Sequence, residues 1–235
     1  MAEKKKKKIE DIGESLYVIK NADKSGWYEK NQPGQSLGYL PHPFRVLALG
    51  SVGRGKSNTL KNMFLKHQSS PKQFQMLYVS CCDLESQEWL DCEPTLVTDQ
   101  LLEPSDFDDR YKTLYVIDDY EFSKMSKDDQ KKLSTLMRYV SSHKNVSIML
   151  SFQSFFDCPP IARKCANAFV LYEPNSKAEI SHIENRVGLD KGDLKKLFKL
   201  CTGPFDSIMI DRTINTQHPI RKNVYQPIVL EGQES

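Results

Sequence analysis

The stretch GSVGRGKS at residues 50–57 fits the pattern G-x-x-x-x-G-K-[ST] at every position. Its glycines allow the backbone to curl so that successive N–H groups face the phosphates of a nucleotide. In such a loop Lys56 reaches the β- and γ-phosphates, and the hydroxyl of Ser57 ligates Mg²⁺. The predicted nucleotide-binding residues are Gly50, Ser51, Val52, Gly53, Arg54, Gly55, Lys56 and Ser57.

Two adjacent carboxylates follow the apolar run TLYVI at residues 113–117. A carboxylate at the end of a buried strand can hold Mg²⁺ through water while the loop serine holds it directly, and Asp118 suits that role. A buried strand rarely ends in paired acids unless a cation neutralises them. Asp119 suits the activation of a water that attacks the γ-phosphate, and capping of the turn is an equally good interpretation of this residue.

A glutamine ends the next apolar run, NVSIMLSFQ at residues 145–153. The amide of Gln153 can hydrogen-bond both the attacking water and the γ-phosphate. Further along the chain, Arg163 could stabilise transition-state charge at the nucleotide of a neighbouring subunit. Arg110 and Arg138 are alternatives for that role, and a solvated surface position is the alternative interpretation of Arg163.

Cysteine and histidine do not indicate a metal centre. The six cysteines form no CxxC pair and show no zinc-binding spacing with the five histidines. Without an apolar secretory signal behind the N-terminal charges, we expect reduced and mostly buried thiols. We interpret all the histidines as structural or surface residues.

Alternating strand and helix patterns must position these side chains. A short run predicts an extra strand at residues 16–19, and longer apolar runs predict buried strands at 44–50, 76–81, 113–119, 145–153, 167–172 and 206–210. Strands that alternate with helices indicate a mostly parallel sheet covered on both faces.

Helix starts are predicted from capping patterns, in which Ser126 precedes Asp129 and Ser176 precedes Glu179. Apolar residues at helical spacing follow each of them. Ligands of such folds bind at the carboxyl ends of the strands. We therefore expect the ends of the P-loop strand, the acid-bearing strand and the strand before Gln153 to converge.

The composition is that of a globular chain with a basic tail. At 235 residues, with 39% hydrophobic and 27% charged residues, the chain is long enough for one α/β domain with modest extensions. Residues 1–8 carry a charge of +4 within a total of +2. Their lysine run could contact nucleic acid or an acidic partner, or could only increase solubility. No apolar run approaches the roughly 20 residues that span a bilayer, and secretion is not expected.

The order of these motifs resembles the FtsK–HerA superfamily. The chain contains, in this order, a P-loop strand, an intervening strand, a strand ending in Asp118 and Asp119, a strand ending in Gln153 and an arginine-bearing segment. Within the superfamily, the sequence is most similar to the genome-packaging ATPases of double-stranded DNA viruses of the poxvirus, giant-virus, virophage and Polinton type. The segments HPFRVLALGSVGRGKSNTL and SFQSFFDCPPIARKCAN carry this resemblance, which covers residues 41–210.

The resemblance implies an α/β fold, namely a P-loop NTPase three-layer sandwich with a mostly parallel central sheet and the ASCE-type strand order. It implies that Lys56 and Ser57 contact ATP and Mg²⁺, that Asp118 is the metal-side acid, and that Asp119 is the catalytic acid at a position where many relatives have Glu. It also implies a homo-oligomeric ring around double-stranded DNA, docked on a capsid or portal vertex protein in the host cytoplasm (viral factory) or in the virion.

The predicted organisation has four segments. They are a basic flexible tail at residues 1–12, an N-terminal extension at 13–40, a P-loop ATPase domain at 41–210 and a C-terminal extension at 211–235.

The leading hypothesis for function is an ATP-hydrolysing DNA translocase that packages a viral genome into a preformed capsid. The alternative is a P-loop kinase that acts on a nucleotide or a small metabolite, because the glycine-rich loop also suits kinases. The acid pair and Gln153 favour hydrolysis with water as the nucleophile. A GTPase is disfavoured because no N-K-x-D motif follows the P-loop, and a transporter ATPase because no LSGGQ-like signature is present.

Overall fold

The computed structural model describes residues 9–11, 17–19, 40–68, 74–85, 87–174, 176–213 and 216–228. The chain divides into two compact units, residues 1–32 and 33–235. In the first unit, β1 (Ile9–Asp11) pairs with β2 (Tyr17–Ile19) in antiparallel fashion. The second of these strands confirms the extra strand predicted at residues 16–19. The lysine run at residues 4–8, which belongs to the predicted basic tail, lies outside the described residues.

A nine-stranded sheet forms the centre of the described part of the second unit. In chain order its strands are β3 (Arg45–Leu49), β4 (Met76–Ser80), β5 (Leu96–Thr98), β6 (Thr113–Ile117), β7 (Val146–Phe152), β8 (Ala168–Leu171), β9 (Ile208–Asp211), β10 (Ile220–Lys222) and β11 (Gln226–Pro227). Their order across the sheet is β11-β10-β9-β8-β3-β7-β6-β4-β5. The strands from β8 to β5 are parallel, whereas β9, β10 and β11 pair in antiparallel fashion.

The order of the parallel strands confirms the predicted fold class. Strand β7 lies between β3 and β6, so that one strand separates the P-loop strand from the acid-bearing strand, as in the ASCE-type arrangement. Leu49 pairs with Phe152, and Ile117 pairs with Leu150. The carboxyl ends of β3, β6 and β7 therefore lie side by side at one edge of the sheet.

Helices connect the parallel strands. The α-helices are α1 (Lys56–Gln68), α2 (Gln87–Leu90), α3 (Lys127–Thr135), α4 (Ser141–His143), α5 (Pro160–Cys165), α6 (Lys177–Val187) and α7 (Asp193–Phe198). A π-helical turn at Leu136–Val140 joins α3 to α4, and short 3₁₀ turns occupy Pro104–Asp106 and Phe122–Lys124. Within the described ranges, no helix has both the length and the apolarity to cross a bilayer.

Both predicted capping patterns are present. The Ser126 Oγ accepts from the N–H of Asp129 at 3.1 Å, and the Asp129 carboxylate accepts from the N–H of Ser126 at 3.2 Å. The Ser176 Oγ accepts from the N–H of Glu179 at 3.5 Å. These bonds satisfy N–H groups that have no partner within the helix, so the local sequence sets where α3 and α6 begin.

Side chains from alternate positions of the central strands face two separate hydrophobic clusters. In β3, Leu47 and Leu49 belong to one cluster, whereas Val46 and Ala48 belong to the other. Residues of α3, α6 and α7 complete the first cluster, and residues of α1 complete the second. The sheet is thus covered on both faces, which confirms the predicted three-layer sandwich.

The sheet continues past residue 210. Arg221 of β10 forms a buried ion pair with Asp211 of β9, and the two side chains are only 4% and 2% exposed. Asp211 also accepts hydrogen bonds from the N–H and hydroxyl of Thr213, at 2.9 Å and 2.6 Å. Buried charges need partners of this kind. Sequence patterns did not predict β5, β10 or β11, because strands of two or three residues contain no sustained apolar run.

Candidate active site

The loop between β3 and α1 carries the residues of the predicted P-loop. Gly53 and Gly55 have φ angles of 77° and 85°, in the left-handed region that glycine adopts without a steric penalty. At Gly50 the constraint is space, since a Cβ there would lie 2.7 Å from the Cβ of Tyr172. The Tyr172 hydroxyl donates to the Gly55 carbonyl at 3.1 Å and lies 2.6 Å from the Oγ1 of Thr59. Tyr172 therefore braces the loop against β8.

The Lys56 ammonium lies over this loop. The residue is only 6% exposed, and its Nζ donates to the Ser51 carbonyl at 3.1 Å. Burial lowers the pKa of Lys56, whereas the negative charges of Asp119 and Asp118 act in the opposite direction. The lysine is thus within electrostatic reach of both acids.

Asp118 follows β6 and is buried, at 2% exposure. Its Oδ1 accepts from the Ser151 hydroxyl at 2.5 Å, and its Oδ2 accepts from the indole N–H of Trp89 at 2.8 Å. The pairing of Ile117 with Leu150 brings Ser151 level with Asp118, while α2 supplies Trp89. Hydrogen bonds to a charged group are among the stronger ones in proteins, and these two fix the rotation of the carboxylate.

Asp119 lies in a different environment although it is the next residue. Its φ of 46° is in the left-handed region, which Asp adopts more readily than most residues. Its N–H donates to the Ser151 Oγ at 3.1 Å, and its exposed side chain faces a cavity. Partial burial and the neighbouring Asp118 raise the pKa of Asp119, while Lys56 opposes the shift.

The cavity has a volume of about 970 Å³, within the usual range for sites that hold small molecules. Lys56 and Ser57 line it on the P-loop side, and Asp119 and Gln153 line it at the ends of the strands. Gln153 also lines a neighbouring cavity of about 160 Å³ together with Gly50. The structure therefore brings the ends of β3, β6 and β7 together around one opening, where the strand pattern placed them.

Among the described residues, the three candidate arginines lie outside the lining of this cavity. The guanidinium of Arg163, on α5, lies over the ring of Phe155 at 4.9 Å from the centroid. Arg110 is exposed and forms an ion pair with Asp108. Arg138 is exposed on the π-helical turn. Within one chain the structure places none of the three in the lining of the cavity beside the P-loop.

Sequence patterns did not single out three residues that shape this site. Ser151 lies on the strand that Gln153 follows, two positions before that residue, so the strand register could have identified it. Tyr172 directly follows a buried strand that neighbours the P-loop strand, which is a weaker signal. Trp89 is far from Asp118 in sequence and lies on a helix of one turn, so no local pattern links it to the acid.

Comparison with known proteins gives structural neighbours only. No family model and no curated protein matches the sequence. The genome packaging NTPase B204 from Sulfolobus turreted icosahedral virus 2, solved with ATP-gammaS, is 17% identical with a TM-score of 0.53, over 80% of this chain and 98% of that chain. B204, the DNA-packaging ATPase from Sulfolobus turreted icosahedral virus, is 14% identical with a TM-score of 0.55, over 80% and 99%.

A bacterial secretion ATPase shares the same fold. The cytoplasmic domain of the type VII secretion ATPase EccC from Thermomonospora curvata is 11% identical with a TM-score of 0.52, over 82% of this chain and 26% of that chain. At these identities the likeness establishes the fold. This is the fold that the resemblance to the FtsK–HerA superfamily implied.

Proposed function

We propose that this protein is an ATPase that uses hydrolysis to move double-stranded DNA into a preformed viral capsid. The observation that carries the proposal is the meeting of Lys56, Asp119 and Gln153 on one cavity, next to a buried Asp118. A cation, an exposed carboxylate and an amide around one opening suit attack of water on a γ-phosphate. The bound ATP analogue in the B204 structure supports the same nucleotide.

The P-loop and the buried acid hold the phosphates and the metal ion. Lys56 exchanges its bond to the Ser51 carbonyl for bonds to the β- and γ-phosphates. The Ser57 hydroxyl and the Asp118 carboxylate are oxygen donors of the type that Mg²⁺ prefers, so these residues fit that ion. Ser57 and Asp118 would hold the ion. When bound, Mg²⁺ neutralises charge on the phosphates.

Asp119 and Gln153 act on the water. Asp119 accepts its proton, and a pKa that partial burial and the neighbouring Asp118 raise above the ordinary value makes the carboxylate a better base. The Gln153 amide, which also lines the cavity, bonds both the water and the γ-phosphate. Both residues thereby favour hydrolysis over transfer of the phosphoryl group to a second substrate.

The proposal of DNA packaging rests on the similarity of this fold to that of a viral packaging NTPase. The chain spans 98% of the B204 structure, a viral genome-packaging NTPase. We infer a homo-oligomeric ring around double-stranded DNA, with a capsid or portal vertex protein as its docking partner in the viral factory or the virion. In such a ring Arg163 of one subunit reaches the nucleotide of the next.

ATP turnover with and without double-stranded DNA tests this function. We expect DNA to raise the rate severalfold, because a motor hydrolyses ATP productively when its track is bound. Lys56→Ala is the control, since it removes the phosphate contact and should abolish turnover under both conditions. An unchanged rate with DNA, together with phosphoryl transfer to a metabolite or nucleotide acceptor, would favour the kinase alternative.

Trp89→Phe should weaken the response to Mg²⁺ while leaving the fold in place. The change keeps an aromatic ring in the core but removes the N–H that the Oδ2 of Asp118 accepts. Loss of a group that orients a metal-binding side chain lowers metal affinity by about tenfold or more. We therefore expect the Mg²⁺ concentration for half-maximal turnover to rise by that factor, with little change in kcat at saturating Mg²⁺. An unchanged Mg²⁺ dependence would make the Trp89 bond purely structural.

A further inference from the structure

An exposed aromatic ring lies against the outer side of the P-loop. The ring belongs to Phe205, which is 65% exposed in the loop between α7 and β9. A Cβ built on Gly55 would lie 3.5 Å from the Cδ1 of Phe205, so the ring lies beside the loop at a distance that a side chain at residue 55 would fill. Arg54 joins the two segments, because its Nη1 donates to the Pro204 carbonyl at 3.2 Å. The ring is therefore held next to the residues that bind the phosphates.

The segment that carries this ring has a fixed shape. Asp206 accepts from the N–H groups of Thr202 and Gly203 at 3.0 Å and 2.9 Å. Its carboxylate also accepts from the side-chain amide of Asn223 at 2.9 Å and forms an ion pair with Lys222 at 2.9 Å. These bonds hold the pKa of Asp206 well below its usual range. A network of this density presents Phe205 to solvent on a rigid support rather than on a free loop.

The position of the Phe205 ring relative to the parts of the site where the phosphates would bind indicates which part of a nucleotide the ring meets. Asp119 and Gln153 line the cavity in which the γ-phosphate would lie, and Phe205 is not among the residues of that lining. It lies beside Gly55 instead, next to the start of α1, where the backbone of a P-loop cradles the α- and β-phosphates. The ribose and the base extend from the α-phosphate. A base that leaves the loop on this side meets the exposed face of the ring.

We propose that Phe205 is the stacking platform for the purine base of the nucleotide, and that it makes the site select adenosine nucleotides over bare phosphate chains. The proposal rests on the proposed nucleotide-binding function of the same site. A base that stacks on an aromatic side chain binds about five- to 150-fold more weakly when that side chain is changed to Ala. The bracing by Arg54 and Asp206 preorganises the platform, so binding need not order it.

Calorimetric titration of the full chain with MgATP, MgADP and magnesium tripolyphosphate tests the platform. For Phe205→Ala we expect the Kd for MgATP and MgADP to rise by about five- to 150-fold, with an unchanged Kd for tripolyphosphate. Phe205→Trp should restore nucleotide affinity, because it retains a stacking surface. Tyr139→Ala is the matched control, since it also removes an exposed aromatic ring, at 53% exposure, but on the π-helical turn. We expect it to match the parent with all three ligands.

Two results would overturn the platform while leaving the ATPase intact. An unchanged Kd for MgATP in Phe205→Ala would show that the ring does not contact the base. An equal loss of affinity for tripolyphosphate and MgATP would show that the ring only supports the P-loop. Failure of the parent chain to bind MgATP at all is a separate outcome, and it would overturn both the proposed function and the platform.

Discussion

Oligomers made only of Arg163→Ala subunits should bind ATP normally and hydrolyse it about 10³-fold more slowly, or slower still. Transition-state arginines act on charge that develops during transfer, so their loss affects rate rather than ground-state binding. Within its own chain the Arg163 guanidinium lies over Phe155 and outside the lining of the nucleotide cavity. Loss of that cation–π contact, between a half-buried Arg163 and a buried Phe155, removes about 0.5–2 kcal/mol of stability, so the variant should fold.

Mixing with Lys56→Ala subunits distinguishes action in trans from action in cis. A competent site then pairs the intact P-loop of one parent with the intact arginine of the other, which occurs at roughly a quarter of the interfaces in a randomly mixed ring. We expect turnover in the mixture to exceed that of either parent alone, with subunit exchange verified by light scattering. Lys164→Ala serves as a matched control because Lys164 is an exposed cation next to Arg163 on the same helix.

The mixing experiment has two outcomes that would contradict this assignment. Verified exchange without any recovery would place the action of Arg163 in its own subunit. Full activity of the all-mutant oligomer would remove Arg163 from the mechanism, and Arg138 would then be the next arginine to substitute.

Asp119→Asn should retain Mg²⁺-ATP binding and lower kcat by about 10²- to 10⁴-fold, the usual contribution of a general base. The change removes the charge that faces the cavity and leaves the buried Asp118 with its bonds to Ser151 and Trp89. Asn tolerates a left-handed backbone such as the φ of 46° at this position, so the turn should be preserved. Single-turnover hydrolysis and nucleotide titration measure the two effects separately.

The pH dependence of turnover by the parent chain tests the role of Asp119 independently. A base must be deprotonated, and the pKa of Asp119 is raised above the ordinary value of 3.8. Turnover should therefore fall as the pH decreases towards that raised pKa, and this acid limb should be absent from Asp119→Asn. Asp118→Asn is the comparison, and it should weaken Mg²⁺-dependent binding itself. Equal kcat values for parent and Asp119→Asn would leave Asp119 as a residue that only shapes the turn.

Local sequence was sufficient to predict the parts of this fold that depend on local physics. The apolar run before Gly50 has the pattern of a buried strand, and the glycines after it suit a loop, as the positive φ angles of Gly53 and Gly55 confirm. Capping by Ser126 and Ser176 involves groups three residues away, so both helix starts were visible in the chain. The alternation of elements then led to a parallel sheet whose carboxyl ends meet.

Contacts between distant elements were not predictable from these patterns. The bond from Trp89 to Asp118 depends on where a one-turn helix packs against the sheet, and no periodicity encodes that. The position of Phe205 beside Gly55 likewise depends on a loop that Asp206 and β10 hold in place. The short antiparallel strands at the C-terminal edge are stabilised by the buried pair of Asp211 and Arg221, which a search for apolar runs does not detect.

The proposal that this chain moves along double-stranded DNA can be tested by measuring that movement. A DNA duplex that carries a third strand bound in its major groove reports translocation, because a motor that travels along the duplex displaces that strand. We expect the parent chain to release the third strand when ATP is added, and we expect no release with Lys56→Ala or with a non-hydrolysable ATP analogue. Hydrolysis of ATP by the parent chain while the third strand dissociates no faster than without ATP would contradict the proposal.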